Sequence, residues 1–413
     1  MLSEIKNLNN LVIFRGLLED PIIKQLLVHA DRAGEGGALP PGTVADLIAF
    51  AEQYGLAGNV LGDHLIYLLV VDENSFSITA EKQRGQVGES LLAACAHDLA
   101  ILRRLHDRTA ALAGGLLADY RPTVASDLLA FNALKHSWAS SGAAAPAESA
   151  AMLARHYAVY GCGQMANHVA FRWDRKGGLV GITHYDKTTF DDIIGYERQK
   201  NTLKENTEAF LAGRPANNVL LIGPRGTGKS STVKALVNAY AIKGLRLVEV
   251  NKGDLLHLQT VSDLLGARGK KCILFLDDLS FEDSDGDFKH LKTVIDGSLQ
   301  TRPANVLIYA TSNRRHLVKE TWQDRQGGDD EIHRFDSLNE KIALADRFGI
   351  TITFPSPDQQ EYLNIVHKLA QKHKVALSEE QLNKEALQWE FSHSGRSGRV
   401  ARQFIQHLLG KIV

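Results

Sequence analysis

Cysteine is scarce in this 413-residue chain, which has three: Cys95, Cys162 and Cys272. They are widely spaced and none belongs to a C-x-x-C pair, which argues against a disulfide framework or a zinc site. The sixteen histidines include no H-E-x-x-H arrangement, so the usual zinc-protease signature is missing as well. This cysteine usage fits a reducing compartment.

Long apolar runs are also missing. No run of about 18 apolar residues occurs, so the sequence predicts no transmembrane helix. The first residues lack the basic-then-apolar layout of a signal peptide, and we therefore expect a cytoplasmic protein. With 44% hydrophobic and 23% charged residues, the composition is that of an ordinary globular protein. The length predicts two or three domains.

Positive charge is sparse in the N-terminal part. Residues 1–150 hold 11 Lys and Arg against 17 Asp and Glu, although the net charge of the whole chain is only −1. Binding to nucleic-acid phosphates needs clustered Lys and Arg, so this part is disfavoured as a general nucleic-acid surface. The ordinary alternative is that these acidic residues form a solvated face.

The most specific pattern present is a glycine-rich loop between an apolar run and a segment with helical apolar spacing. Residues 223–230 read G-P-R-G-T-G-K-S, which matches the phosphate-binding pattern G-x-x-x-x-G-K-[ST]. The glycines let backbone N–H groups point at a polyphosphate, and the helix adds its positive N-terminal end. We expect Lys229 to reach the β- and γ-phosphates of a nucleoside triphosphate and Ser230 to hold Mg²⁺. The predicted nucleotide contacts of this loop are Gly223, Pro224, Arg225, Gly226, Thr227, Gly228, Lys229, Ser230 and Ser231.

The chain divides into four predicted parts. Residues 1–138 carry Leu and Ala at helical spacing and predict a mostly helical domain, in which residues 59–71 fit a helix or a strand. Residues 139–187 predict a linker, a short helix and a β-hairpin. Residues 188–355 alternate apolar strands with helices, which indicates a parallel sheet buried on both faces, and residues 356–413 predict a helical lid. The predicted fold class is α/β, a P-loop NTPase sheet sandwiched by helices, with this lid and an N-terminal helical domain.

A second polar feature follows the strand predicted at residues 272–276. Asp277 and Asp278 end this strand, so both carboxylates should lie at the carboxyl edge of the sheet. We expect Asp277 to hold Mg²⁺ and Asp278 to polarise the attacking water. The alternative is a strand that is simply capped by acidic turn residues.

From about Phe190 onward the chain resembles the AAA+ ATPases. The segment Phe190–Gly195 (FDDIIG) resembles the adenine-holding motif of that superfamily, Thr311–Asn313 resembles its first sensor, Asp346–Gly349 its arginine-finger segment, and Gly395–Arg402 its second sensor. Longer phrases, such as SGRSGRVARQF at residues 394–404, are similar to a bacterial AAA+ group catalogued as a domain of unknown function.

The resemblance implies ATP as the nucleotide and assigns further roles. Ile194 and Gly195 would contact adenine, Asn313 would lie beside the γ-phosphate, and Arg399 would contact the nucleotide from the lid, with Arg396 as the alternative. Most AAA+ enzymes have Asp-Glu where this chain has Asp277-Asp278. The shorter second carboxylate predicts slow hydrolysis or the recruitment of Glu282 as the base in its place.

The resemblance also implies a homo-oligomer, a ring or open ring, in which Arg347 reaches the site of a neighbouring subunit. The alternative for Arg347 is a local ion pair with Asp346. For Arg314 and Arg315 the alternatives are a role as a second trans-acting arginine and an ordinary surface position.

Three functions remain open. The first is an AAA+ ATPase that remodels or loads a macromolecular partner recruited by the N-terminal domain. A protein is the favoured partner. The second is a DNA-associated ATPase of the initiator or helicase-loader type, and the third is a small-molecule P-loop kinase. The stretch at residues 251–260 lacks the aromatic residue of threading pore loops, which disfavours threading. We expect no membrane partner.

Overall fold

A computed structural model of the protein describes residues 2–32, 39–141, 145–279, 303–313, 347–393 and 395–411, together with Leu291 and Ile295. Contacts divide the chain into two compact units. The first consists of Met1–Val169 and Ala267–Lys270, and the second of Ala170–Gly266 and Lys271–Val413. Residues of the predicted 139–187 segment fall in both units, and the four-part division stays a prediction.

The first unit is helical in its described part. Its apolar side chains recur at helical spacing and form one continuous core, to which most of its helices contribute. These helices are α1 (Leu2–Lys6), α2 (Pro21–Arg32), α3 (Pro41–Tyr54), α4 (Val60–Val71), α5 (Ser75–Lys82), α6 (Glu89–Ala118), α7 (Leu129–Ser141), α8 (Pro146–Tyr160) and α9 (Gln164–Asn167).

Helix α4 lies at the centre of this core and packs against α6 and α7. Every residue from Val60 to Val70 is buried, so the apolar pattern shows neither the period of a one-sided helix nor that of a strand. That is why the sequence left both structures open for residues 59–71. The helix begins after Asn59, whose side chain accepts a hydrogen bond from the Gly62 N–H at 3.2 Å.

A buried carboxylate fixes the N-terminal segment against α6. Asp98 is fully buried, and its oxygens accept hydrogen bonds from the backbone N–H groups of Val12, Ile13 and Phe14 at 2.7–3.0 Å. A buried charge is tolerated when several donors surround it in this way. The contact joins residues more than eighty positions apart, and no sequence pattern signals it.

A second buried carboxylate in the first unit holds the Ala267–Lys270 segment. Arg268 donates to both oxygens of Glu81 at 2.9 and 3.1 Å, and the Gly269 N–H donates to the same carboxylate at 2.8 Å. The arginine holds the pKa of Glu81 below its usual value in spite of the opposing effect of burial. This bidentate geometry is the favourable one for a desolvated pair.

The second unit is built on a seven-stranded sheet in the order β2-β1-β4-β5-β6-β3-β7. All pairings are parallel except the β1–β2 hairpin. Strands β3 to β6 are buried almost throughout and, apart from β4 with its Arg246 and Glu249, are largely apolar, as expected for a sheet covered on both faces. The strands are β1 (Ala170–Asp174), β2 (Gly178–Gly181), β3 (Val219–Ile222), β4 (Leu245–Glu249), β5 (Lys271–Leu276), β6 (Val306–Ser312) and β7 (Ile350–Thr353).

The sheet register brings the ends of three strands together. Ile222 of β3 lies opposite Ser312 of β6, and Leu276 of β5 lies opposite Ala310 of the same strand. Parallel strands end at one edge of a sheet, so the residues that follow β3, β5 and β6 meet there.

Helices complete the second unit. Helices α10 (Glu197–Leu211), α11 (Lys229–Tyr240) and α12 (Leu258–Gly266) accompany the sheet, and α13 (Gln359–Lys372), α14 (Glu379–Phe391) and α15 (Gly398–Lys411) form the lid around a core of their own. The predicted fold class is thus confirmed. No helix in the described ranges is long and apolar enough to cross a membrane.

Candidate nucleotide-binding site

A cavity of about 590 Å³ opens in the second unit, where the carboxyl edge of the sheet faces the lid. It is the meeting place of the glycine-rich loop, the strand ends and two lid helices. Its lining comprises Asp192, Ile193, Ile194, Tyr196, Arg225, Gly226, Thr227, Gly228, Lys229, Ser230, Ser231, Asp277, Asp278, Thr311, Asn313, Ile365, Leu369, Gly398, Arg399, Arg402, Gln403 and Gln406.

The glycine-rich loop connects β3 to α11 and needs glycine for steric reasons. Gly223 has φ 145°, and a Cβ there would lie 2.0 Å from the Phe354 carbonyl oxygen. Gly226 has φ 82°, and a Cβ there would lie 2.8 Å from Ser397 Oγ on the lid side. A side chain at Gly223 would therefore collide with the residue that follows β7, and one at Gly226 with the residue that precedes α15.

Lys229 is the first residue of α11, and its side chain folds back over the loop. Its Nζ donates to the carbonyl oxygens of Gly223 and Pro224 at 2.7 and 2.8 Å and to Asn313 Oδ1 at 2.9 Å. Burial lowers the pKa of Lys229 to about 8, against the opposing effect of Asp278 and Asp277. The ammonium group is thus held at the strand ends by weak acceptors that a phosphate can replace.

Asp277 accepts hydrogen bonds from two hydroxyl groups. Ser230 Oγ and Thr311 Oγ1 each donate to Asp277 Oδ1 at 2.6 Å. The Asp278 N–H donates to the same Thr311 hydroxyl at 2.9 Å, so Thr311 orients both neighbouring aspartates. The serine and aspartate oxygens that the sequence assigned to Mg²⁺ are therefore adjacent.

Asp278 adopts a left-handed backbone conformation, with φ 53°. This conformation is uncommon for residues other than glycine, and aspartate is among those that tolerate it best. Its Oδ1 accepts a hydrogen bond from Asn313 Nδ2, and its Oδ2 lies 3.4 Å from Arg225 Nη2. Asn313 thus contacts Lys229 with its oxygen and Asp278 with its nitrogen.

The Phe190–Gly195 segment supplies an apolar wall of the cavity. Ile193 and Ile194 line it, while Gly195 does not line it and takes φ 80° at the turn into α10. Lys200 of α10 is buried, and its Nζ donates to the Ile193 carbonyl oxygen at 2.9 Å and to Glu197 at 2.7 Å. This lysine fixes the backbone that the resemblance assigns to adenine.

The lid contributes arginines to the opposite wall. Arg399 lines the cavity, whereas Arg396 pairs with Glu390 at 3.2 Å and does not line it. Arg402 lies one helical turn beyond Arg399, and its Nη2 donates to the Asp192 carbonyl oxygen at 3.0 Å. Asp192 also pairs with Lys372 of α13, which together with backbone hydrogen bonds lowers its pKa to about 2. Two lid helices therefore contact the segment that precedes Ile193.

Arg347 does not line the cavity of its own chain. It lies three residues before β7, whose residues run parallel to β3. The glycine-rich loop follows the other end of β3, and four strand residues span about 13 Å. Arg347 therefore belongs to the opposite edge of the sheet. The alternatives Glu282, Arg314 and Arg315, and the proposed partner Asp346, lie outside the described residues.

Several site residues carry no assignment from the sequence. Thr311 belongs to the predicted sensor segment, which gives it no role of its own, and its hydrogen bond to Asp277 depends on the pairing of β5 with β6. Arg402 could have been noticed, because it follows Arg399 by three positions and shares its helix face. Asp192 belongs to the predicted adenine segment but has no role of its own there, and Lys200 carries no signal, because a charged residue beside an apolar turn is common on surfaces.

Residues 166–412, more than half of the chain, match the family described as a protein of unknown function (DUF815). The chain belongs to the DUF815 family. The resemblance to AAA+ ATPases and to a bacterial group of unknown function is thereby confirmed, and matches to curated proteins agree with it.

Two of these curated relatives illustrate the extent of similarity. The replication factor C large subunit of Methanococcus maripaludis strain C6 is 27% identical over 105 residues, which cover 24% of the DUF815 chain and 21% of the relative. The ATP-dependent zinc metalloprotease FtsH 1 of Thermomicrobium roseum is 27% identical over 183 residues, covering 38% and 28%. The chain thus spans about a fifth to somewhat over a quarter of the length of these relatives.

Solved structures overlap with the DUF815 chain only partly. The FIGL-1 AAA domain in complex with ADP aligns with a TM-score of 0.38 and 18% identity, covering 55% of this chain and 74% of that one. The Thermotoga maritima RuvB Holliday junction branch migration motor aligns with a TM-score of 0.32 and 16% identity, covering 53% and 71%. These overlaps add nothing to the fold described above.

Proposed function

We propose that this DUF815 protein binds ATP with Mg²⁺ in the cavity between the sheet and the lid and hydrolyses it. The observation that carries the proposal is the linked set of polar contacts at the strand ends. Ser230 and Thr311 donate to Asp277, while Asn313 joins Lys229 to Asp278. Six polar side chains, including groups suited to phosphate, metal and water, thus converge on one cavity.

The donor set of this site fits Mg²⁺. Ser230 and Asp277 present hard oxygen atoms 2.6 Å apart, and Mg²⁺ is usually held by one or two protein oxygens with phosphates and water completing its shell. Ser230 and Asp277 would hold the ion. When bound, it offsets negative charge on the β- and γ-phosphate oxygens.

Four side chains of this protein have separate roles in binding the nucleotide and activating the water. Lys229 exchanges its two carbonyl acceptors for oxygens of the β- and γ-phosphates, which are stronger acceptors because they are charged. Asp278 accepts the proton of the attacking water, and Asn313 orients that water. Arg399 approaches from the lid, so bound nucleotide would draw the lid towards the sheet. In this chemistry most of the rate enhancement comes from positioning and charge stabilisation.

We further propose that the active form is a homo-oligomer, a ring or an open ring. Arg347 lies at the sheet edge away from its own glycine-rich loop, so its guanidinium would complete the site of a neighbouring copy. A site shared between copies makes hydrolysis depend on assembly and gives each copy a means of responding to the nucleotide of the next.

The use of the ATP is proposed to be the remodelling or loading of a protein partner that binds the N-terminal helical region. The acidic balance of residues 1–150 favours a protein over a nucleic acid as the partner. A DNA-associated ATPase is the competing function, and a metabolite kinase is a third.

Mixing two inactive variants tests both the site and its sharing. Lys229→Ala removes the phosphate lysine but keeps Arg347, and Arg347→Ala does the reverse. Each variant alone should hydrolyse ATP at least about tenfold more slowly than the wild type. Their mixture should regain activity, because some interfaces then combine an intact loop with an intact arginine. No recovery in mixed oligomers of wild-type size would contradict the shared site.

A variant that binds ATP without hydrolysing it tests whether the partner is a protein or a nucleic acid. Asp278→Asn should bind ATP without hydrolysing it and so retain partners that wild-type protein releases. Stimulation of the wild-type ATPase by duplex DNA, lost steeply between 50 and 200 mM salt, would favour the DNA-associated function instead. Wild-type hydrolysis by Asp278→Asn would show that another group is the base, and a phosphorylated metabolite would indicate a kinase.

A further inference from the structure

The third residue of the glycine-rich loop, Arg225, makes a contact that neither the loop motif nor the proposed roles explain. Its guanidinium Nη2 lies 3.4 Å from Asp278 Oδ2, although 75% of its side chain is exposed. A freely solvated arginine at this position could point away from the cavity, yet Arg225 lines it beside Lys229 and Asn313. The side chain is thus directed at the carboxylate that the proposed reaction uses.

Both oxygens of Asp278 are engaged. Asn313 Nδ2 donates to Oδ1, and Arg225 faces Oδ2. The second contact is the weaker one, because both partners are more than half exposed and the N–O distance is long for a charged hydrogen bond. A stronger anion in the cavity can therefore displace Asp278 from Arg225 at little cost.

The γ-phosphate is that anion. To react with a water polarised by Asp278, it must lie between Lys229 and that water, and so within reach of a guanidinium already 3.4 Å from the carboxylate. Arginine presents parallel N–H groups that match phosphate oxygens in a bidentate manner. Lys229, Arg225 and Asp278 would then surround the transferred phosphoryl group.

We propose that Arg225 is a catalytic residue supplied by the same chain, which exchanges Asp278 for the γ-phosphate when ATP binds. This inference rests on the proposed ATPase function and adds a residue and a partner exchange to it. Arg225 offsets charge on the γ-phosphate, and its departure leaves Asp278 Oδ2 open to the attacking water.

The chemical step balances without any further reactant. The water oxygen forms a bond to the γ-phosphorus, the bond from that phosphorus to the β,γ-bridging oxygen breaks, and the bridging oxygen leaves with the electron pair on ADP. The water proton passes to Asp278. Arg225 forms and breaks only ionic hydrogen bonds during the step.

Comparing a triphosphate with a diphosphate isolates this role, because ADP has no γ-phosphate. The variants are Arg225→Ala, Arg225→Lys and, as a matched control, Arg214→Ala, an exposed arginine of the same unit outside the cavity. Dissociation constants are measured by calorimetry for the β,γ-imido analogue of ATP and for ADP, together with kcat for ATP.

Arg225→Ala should weaken binding of the imido analogue about tenfold or more and binding of ADP less than about twofold. Its kcat should fall about tenfold to a hundredfold, and Arg225→Lys should recover part of both. Arg214→Ala should match the wild type. Equal weakening of analogue and ADP would overturn the proposal by making Arg225 a structural residue of the loop, as would unchanged analogue affinity and kcat.

Repeating the substitution in Asp278→Asn protein distinguishes a direct contact between Arg225 and the γ-phosphate from an effect that Arg225 exerts through Asp278. In Asp278→Asn protein, which should bind without hydrolysing, Arg225→Ala should still weaken the imido analogue, and by slightly more, since no ion pair has to be broken. Loss of the effect in that background would overturn direct contact with phosphate. If the wild type bound neither nucleotide, the proposed function itself would fail, whereas wild-type hydrolysis with an indifferent Arg225 would overturn only this inference.

Discussion

Thr311→Val offers a sharp test of how the two aspartates are positioned. The substitution keeps the side-chain shape and removes the hydroxyl, which donates to Asp277 at 2.6 Å and accepts from the Asp278 N–H at 2.9 Å. Thr311 is 1% exposed, so water cannot easily replace the lost partner. The Asp278 N–H keeps one longer contact, to Asp277 Oδ1 at 3.1 Å.

The expected magnitudes follow from these two hydrogen bonds. The hydrogen bond from Thr311 to Asp277 has a charged acceptor, and the one from the Asp278 N–H to Thr311 is neutral. Losing both should lower the free energy of unfolding by about 2–4 kcal/mol. Because Thr311 orients groups proposed to contact metal and water, kcat should fall about tenfold to a hundredfold, and half-saturation should require more Mg²⁺. Urea denaturation and ATPase assays at a series of Mg²⁺ concentrations measure these quantities.

Two further variants separate positioning from stability. Thr311→Ser keeps the hydroxyl and should retain most of the activity. Thr207→Val makes the same chemical change at a fully buried site, where the hydroxyl contacts the Leu203 carbonyl and the Tyr309 hydroxyl at 2.8 and 2.9 Å. It should lower stability with kcat unchanged. If Thr311→Val behaves like Thr207→Val, losing stability but neither kcat nor Mg²⁺ affinity, the positioning argument is wrong.

Three other predictions concern buried polar groups. Lys200→Met, which removes the contact to the Ile193 carbonyl, should weaken ATP and ADP alike by about tenfold in calorimetry, and equal affinities in this variant and the exposed-site control Lys384→Met would contradict it. Asp98→Asn should lower the free energy of unfolding in urea by about 2–4 kcal/mol, because three backbone N–H groups lose a charged acceptor; wild-type stability would refute this. Burial lowers the pKa of His156 to about 3, so below pH 6.5 only the unfolded chain takes up the proton, and stability falls as the pH falls. Between pH 6.5 and 5 the free energy of unfolding should fall by about 2 kcal/mol for this reason. Urea titrations at the two pH values should show that His156→Phe removes this loss. If the variant keeps the pH dependence of the wild type, His156 is not its source.

The loop and the strand ends were predictable because their signals are local. Gly223 to Ser230 must lie between a strand and a helix for the motif to work, and the flanking residues have the corresponding apolar spacing. Likewise, Asp277 follows an apolar run, and parallel strands share one carboxyl edge. Hence the positions of Lys229, Ser230 and Asp277 in one cavity could be anticipated.

Other parts of the molecule gave no such signal. The helix α4 was ambiguous, because a segment buried on all sides has no polar face to reveal its period. Asp98 binds N–H groups more than eighty residues away, and Arg268 binds Glu81 across 187 positions. Such partners are chosen by packing of distant elements, which a single sequence does not encode in any short pattern.

The sequence by itself determined the family, the α/β fold and the position of the glycine-rich loop between a strand and a helix, since backbone geometry and side-chain period follow from neighbouring residues. Only the tertiary structure decided which groups share hydrogen bonds: Thr311 with Asp277, Arg225 with Asp278, and Arg402 with the Asp192 carbonyl. These contacts depend on strand register and on where the lid packs, and a shift of one residue in a strand would turn each side chain to the other face. The chemistry proposed for this site therefore rests on residues that the sequence supplied and on pairings that the fold selected.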